Sequence, residues 1–151
     1  MIDIKTKFPP PLVALTFGFL INYTKNIFPK IEVKNEFIFG SFMIISGLII
    51  ILSAIILFKK YQTAITPLNP SNATKLITDG IYKFSRNPMY LGLLLVLSGI
   101  SIILNPIGGF FFISLFILYL NFMQIIHEES AMLDLFKDDF LEYKENVRRW
   151  I

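Results

Sequence analysis

The chain has 151 residues and a mass of 17.4 kDa; 54% of its residues are hydrophobic, 17% are charged, and the formal net charge is +3. Sixteen phenylalanines and a mean hydropathy of +0.63 set it apart from an average soluble domain. The absence of cysteine excludes disulfides, zinc thiolates, iron–sulfur clusters and cysteine nucleophiles.

Residues 37–58 and 87–126 contain no Lys, Arg, Asp or Glu, and a soluble chain of this size has too little interior to bury both blocks. A helix needs about 20 apolar residues to cross about 30 Å of hydrocarbon. The first candidate span is weak: it runs from Leu12 into the region from Asn22 to Phe28, behind Pro9, Pro10 and Pro11. Lys5 and Lys7 before an apolar run also fit a cleaved leader, but no small-residue cleavage site follows Leu20. Residues 37–58 make the second span. The 40-residue block is long enough for two more, at about 88–104 and 107–126, with Asn105-Pro106 and Gly108-Gly109 at the turn between them.

The expected fold is an all-α integral membrane protein with about four transmembrane helices, the last two a hairpin, followed by an amphipathic cytoplasmic helix. It forms a single membrane domain, 1–151, divided into an N-terminal transmembrane pair, 1–65, and a second half, 66–151. Eleven Lys and Arg fall on the side of the termini and the middle loop, against Lys25, Lys30 and Lys34 on the other. That asymmetry places both termini on the cytoplasmic side of the cytoplasmic membrane. Gly40, Gly47 and Ala54 recur every seven residues in the second span, as do Gly92 and Gly99 in the third, and they predict close helix packing.

Residues with chemical potential gather in the loop 59–90 and the tail 127–151. The loop is punctuated by Pro67, Pro70, Asp79-Gly80 and Pro88. In the tail, Leu133, Phe136, Phe140, Tyr143 and Val147 share one helical face, and seven carboxylates outnumber four basic residues. That balance favours a helix folded back over the loop as a lid over adsorption to anionic lipid. The hairpin brings Arg86, Asn87 and Tyr90 to the level of Gln124, His127, Glu128 and Glu129, with Glu128 one helical turn after Gln124. Each residue alone can be ordinary interfacial decoration; together they predict a site.

The stretch from Leu76 to Gly92, containing Asp79-Gly80, Tyr82 and Arg86-Asn87-Pro88-Met89-Tyr90, is followed by Glu128-Glu129, Leu133, Phe136, Tyr143, Val147 and Arg149-Trp150-Ile151. This pattern resembles the integral-membrane methyltransferases, a superfamily that includes isoprenylcysteine carboxyl methyltransferase and the phospholipid N-methyltransferases. The match covers residues 66–151. The resemblance implies S-adenosylmethionine (S-adenosyl-L-methionine) bound on the cytosolic side and a lipophilic small-molecule or lipid acceptor that enters from the bilayer, with neither nucleic acid nor metal. It assigns the cofactor to Thr74, Lys75, Leu76, Ile77, Tyr82, Asn87, Pro88, Met89, Tyr90 and Glu128. Arg86 would orient an anionic group, and Glu129, or less readily His127, would take a proton. Gln124 stands on the acceptor side, where carboxyl methyltransferases carry an Arg; a neutral amide is a poor carboxylate clamp, which argues against a prenylcysteine carboxylate. Asn87 and Thr74 replace His, Lys137 replaces Gly, Phe140 replaces Tyr and Arg148 replaces Pro. The alternatives are an NADPH-dependent membrane sterol or enone reductase, whose motif is related, and a non-catalytic relative of the same fold.

Overall fold

The computed structural model describes residues 8–63 and 73–151; Lys5, Lys7, Pro67 and Pro70 lie outside these residues. The described residues form helices α1 (Pro10–Thr24), α2 (Glu36–Lys60), α3 (Pro88–Leu104), α4 (Pro106–Tyr119) and α5 (Ile126–Asn146). A single 3-10 turn, Gly80–Lys83, precedes α3, and a π-helical segment, Leu120–Ile125, joins α4 to α5. There is no strand among the described residues.

The first helix begins at Pro10, two residues before the expected Leu12, and takes two of the three prolines into itself. Pro10 and Pro11 occupy the first turn of α1, where a missing amide costs nothing, and the amides of Leu12 and Val13 both reach the Pro9 carbonyl. α2 follows Asn35, which takes the left-handed conformation that Asn tolerates (φ 58°). Glu36 in the first turn of α2 and Lys59 and Lys60 in its last complement the helix dipole.

Among the described residues, two helical stretches are long and apolar enough to cross a membrane: α2, and the continuous run Pro106–Asn146. α1 with 15 residues and α3 with 17 are only about 23 and about 26 Å long, less than a typical hydrocarbon core. The most apolar 18-residue window of α2 has a mean hydropathy of 2.7 yet is only 11% buried. The core helix of a soluble protein would be mostly covered. Phe37, Phe42, Ile45, Leu52 and Ile56 are all more than half exposed, a surface suited to hydrocarbon.

The face of α2 that is covered is the small-residue stripe. A Cβ at Gly99 would lie 2.4 Å from the Gly40 carbonyl oxygen, and one at Gly92 would lie 2.7 Å from that of Gly47. The reciprocal distances, 2.7 Å from Gly40 to Gly99 O and 2.5 Å from Gly47 to Gly92 O, show two antiparallel glycine pairs in backbone contact. α1 packs on α3 and α4.

The chain breaks between α3 and α4 at Asn105, which is fully buried and extended. Its Oδ1 accepts the Gly108 amide at 3.0 Å, and its Nδ2 donates to the carbonyls of Lys25 at 2.8 Å and Phe28 at 3.1 Å. One side chain thereby caps α4 and ties it to the segment that follows α1.

The tail departs from a single amphipathic helix. Lys137 has φ 44° and ψ −115°, so α5 is two helices meeting at a kink. The kink turns the inward face: Phe136, Phe140, Tyr143 and Val147 pack against Ala54, Ile77 and Tyr82, whereas Leu133 is 40% exposed and Met132 packs in its stead. A side chain at this φ is strained, and the resembled family has glycine there.

In detergent micelles, Gly99→Ala will lower the unfolding temperature, by about 1–3 kcal/mol of overpacking. Gly18→Ala, whose added Cβ meets only side chains at 3.6 Å or more, will leave it unchanged or raise it slightly. Lys137→Gly will raise it, by up to about 1 kcal/mol, because relieved strain outweighs the added freedom of the unfolded chain; a fall would mean that Lys137 is not strained.

Candidate functional site

Three elements converge at one end of the helices: the turn Gly80–Asn87, the first turn of α3, and the start of α5. The second half of α5 and the extended residues after it close over them. Between them is a cavity of about 390 Å³, within the range of small-molecule sites.

Most of the sequence-predicted residues border this cavity. Lys75, Leu76, Ile77 and Tyr82 line it from the loop, and Arg86, Asn87, Met89 and Tyr90 from the turn and α3. Glu128 and Glu129 line it from α5. Thr74, Pro88 and Gln124 do not. Thr74 is exposed, with its amide on Thr63 Oγ1 at 3.0 Å; Pro88 is buried as the first residue of α3; Gln124 is fully buried behind Glu128. His127 does not reach the cavity either. Sequence reasoning missed the walls given by Ile51 and Phe58 of α2, Leu93 of α3, and Pro9 and Pro11 at the N-terminal end of α1. Nothing within a uniformly apolar run marks which residue faces a cavity. Phe140 and Tyr143 also line it, as the inward face of the tail foreshadowed.

The two adjacent glutamates have opposite surroundings. Glu128 Oε1 accepts the Tyr90 hydroxyl at 2.5 Å and the Gln124 amide at 2.7 Å. Both donors are neutral, and among the described residues no Lys or Arg forms an ion pair with Glu128. Burial lifts its carboxyl to about 7; the two hydrogen bonds oppose that rise and the charge of Glu129 adds to it. The π-helical segment just before α5 contains Gln124 and sets the phase in which these side chains meet.

Glu129 is held between two guanidinium groups. Its Oε1 accepts Arg86 Nη2 at 2.9 Å and Arg149 Nε at 3.1 Å, and its Oε2 accepts Arg149 Nη2 at 2.6 Å. Burial pushes its pKa up, but the Arg149 hydrogen bond and the charges of Arg86, Arg149 and Lys144 outweigh it and hold the carboxyl below the ordinary range.

Arg86 is mostly engaged with the tail. Its amide donates to Arg148 O at 3.0 Å, and Nη1 donates to the carbonyls of Lys144 at 3.0 Å and Val147 at 3.2 Å. Only Nε is buried without an acceptor among the described residues. Asn87 Nδ2 donates to Arg149 O at 3.0 Å, and the Tyr143 hydroxyl donates to Tyr82 O at 2.7 Å. Phe58 meets the Tyr82 ring edge-on with centroids 5.8 Å apart. At the outer rim, Lys75 Nζ sits 4.2 Å from the centre of the Tyr61 ring, and the Tyr61 hydroxyl bonds Asp79.

Comparison with known proteins matches residues 35–139 to the family described as phospholipid methyltransferase. Protein-S-isoprenylcysteine O-methyltransferase A of Arabidopsis thaliana is 34% identical over 111 residues, 72% of this chain and 55% of that protein. A probable protein-S-isoprenylcysteine O-methyltransferase of Oryza sativa subsp. indica is 27% identical over 142 residues, 90% of this chain and 72% of that protein. An uncharacterized protein of Haemophilus influenzae is 38% identical over 63 residues, 42% of this chain and the whole of that protein. The chain spans about half the length of the Arabidopsis relative. No solved structure matches.

The glutamate pair predicts opposite pH effects on stability. Glu128 binds a proton more tightly folded than unfolded, so its contribution is complete below the ordinary glutamate value of 4.5 and lost as pH rises through about 7. Between pH 5 and 8 the parent protein will lose about 2 to 3 kcal/mol that Glu128→Gln retains, read as unfolding temperature in detergent. Glu129 acts in the other direction: its contribution is present above the ordinary glutamate range and is lost as pH falls, so Glu129→Gln will remove part of the acid limb.

Proposed function

The chain belongs to the phospholipid methyltransferase family, and on that premise we propose that it is an integral-membrane methyltransferase that uses S-adenosylmethionine to methylate a lipophilic acceptor in the bilayer. The observation that carries this reading is Glu128: a buried carboxylate, supported only by neutral donors, facing a cavity whose walls are otherwise mostly apolar. Such a group favours a cationic ligand, because an incoming positive charge supplies the counter-ion that the protein withholds.

The residues present fit this cofactor. Glu128, oriented by Tyr90 and Gln124, would hold its ammonium group. Arg86 Nε, buried and without an acceptor, is a donor for an anionic group. Leu76, Ile77, Tyr82 and Met89 supply flat apolar walls. When bound, S-adenosylmethionine supplies a methyl group activated by a sulfonium. The chain's own task is then to hold the acceptor in line and keep water out, and the tail over the cavity serves the second need.

On the acceptor side, Ile51, Phe58 and Leu93 offer only hydrocarbon. The guanidinium groups of Arg86 and Arg149 are already paired with Glu129, and Gln124 is out of reach of the cavity. With Arg86 Nε given to the anionic group of the cofactor and Lys75 held at the outer rim over Tyr61, no cation among the described residues is left beside Ile51, Phe58 and Leu93 to clamp a second carboxylate, which favours an acceptor of other chemistry than a prenylcysteine carboxylate. Glu129, ionised and held by two arginines, is poorly suited to take a proton. The reductase alternative is disfavoured for a similar reason: two carboxylates border the space that the phosphates of NADPH would need. The charge asymmetry supports four crossings with both termini cytoplasmic, α1 and α3 being accommodated by local thinning of the bilayer.

In lipid nanodiscs, S-adenosylhomocysteine will bind the parent protein, and Glu128→Gln and Tyr90→Ala will weaken it roughly 10- to 100-fold. Affinity in the parent will rise with pH through about 7, and in Glu128→Gln it will be flat. Unchanged affinity in both variants would sink the assignment of this cavity. Binding of NADPH alone would favour the reductase, and binding of neither would favour a non-catalytic relative. Labelled-methyl transfer into a total lipid extract, read by mass spectrometry, identifies the acceptor.

A further inference from the structure

Residues 138–151 form a unit distinct from the helix they leave. The chain enters it through the kink at Lys137, at a backbone geometry that neither flanking helix shares. Inside the unit, Phe140 and Tyr143 form one wall of the cavity, while Met132, before the kink, lines it from the fixed side. Among the described residues the unit is fastened by polar contacts at three places: the Tyr143 hydroxyl donates to Tyr82 O in the 3-10 turn at 2.7 Å, and the far end is held by the turn 85–87 and by the start of α5. The turn 85–87 gives the Arg86 amide to Arg148 O, Arg86 Nη1 to the carbonyls of Lys144 and Val147, and Asn87 Nδ2 to Arg149 O. The start of α5 gives Glu129, which takes both Arg149 Nε and Nη2. Arg86 Nη2 on the same carboxylate joins the two fastenings of the far end into one knot.

We propose that Arg86, Glu129 and Arg149 are positioning residues that latch residues 138–151 shut over the cavity, and that this segment swings about Lys137 to admit and release the cofactor. Arg149 is the key of the latch. It is the one member carried by the moving segment, and its side chain is 33% exposed, against 9% for Arg86 and 13% for Glu129, so it can leave into water at the least cost. Arg86 and Glu129 remain paired when it leaves, and the fixed half stays intact. Trp150, packed against the core built by α1, α3 and α4, is the weight that Arg149 holds in place. The latch rests on the methyl-transfer reading only for the identity of the ligand; the movement itself is a property of the chain.

The natural absence of cysteine allows a ligand-free test. In nanodiscs, Met132→Cys will react with a charged, water-soluble thiol reagent slowly in the parent background and at least roughly 10-fold faster with Arg149→Ala. Arg149→Lys, which keeps the charge but not the two-point contact, will fall between them. With S-adenosylhomocysteine, Arg149→Ala will speed association and dissociation together and change the dissociation constant less than either rate. Glu128→Gln will change dissociation alone. Equal labelling of Met132→Cys in all three backgrounds overturns the latch, as does a uniform loss of affinity without faster association. If labelling accelerates but S-adenosylhomocysteine binds none of the proteins, the latch stands and the cofactor assignment falls. Should Arg149→Ala fail to fold, the comparison of Arg149→Lys with the parent carries the same two outcomes.

Discussion

Successive residues on a helix point about 100° apart, so two adjacent glutamates that border one cavity can still meet different partners. This chain uses the difference. Glu129 turns toward Arg86 and Arg149 and is fixed as a charge; Glu128 turns toward the cavity and receives only the hydroxyl of Tyr90 and the amide of Gln124. The paired carboxylate binds the tail to the turn before α3, and the unpaired one gives the enclosed space its electrostatic character. If both were paired, the cavity would have no reason to attract a cation; if neither were, the tail would have no charged anchor.

For that division to hold, α3 and α5 must meet at the right level, and the far ends of the helices set it. The glycine pairs Gly40 with Gly99 and Gly47 with Gly92 allow α2 and α3 to touch along their backbones. Asn105 fixes where α3 stops and α4 begins and holds that corner to the carbonyls after α1. From this corner, the length of α3 brings Tyr90 to the level that α4 and the π-helical segment give to Glu128. In a bilayer, where apolar surface gains little by burial against other apolar surface, such backbone contacts and a single buried amide carry much of the work of a core.

The sequence made this division only partly legible. The limits of the apolar blocks were visible in the missing charges, and the break at Asn105 was visible in the proline that follows it. The glycine stripe announced a close packing, and the four-residue spacing from Gln124 to Glu128 announced their contact. What stayed hidden depended on partners distant in sequence. Arg86 and Glu129 read as reacting groups because each is chemically capable, and only the return of Arg149 shows that they are occupied with each other. The kink at Lys137 was marked by a lysine where the resembled family has glycine, but a periodic face that ran straight through it, from Leu133 to Val147, masked the bend. Ile51 and Phe58 are two apolar residues among many, and their place at the cavity follows from packing alone.

The π-helical segment Leu120–Ile125 lies between the corner at Asn105 and the glutamate pair. A wider turn takes up chain without the full rotation that regular α-helix would impose. Elsewhere in this span, removing one residue would swing the pair by about 100° around the axis, bringing Glu129 to the bearing of Glu128 and turning Glu128 away from its partners. Within the wide turn, the same change in length can be absorbed by tightening to ordinary helix. This short stretch is therefore where the span can shorten by a residue, to suit a thinner membrane, while the acidic pair keeps its bearing.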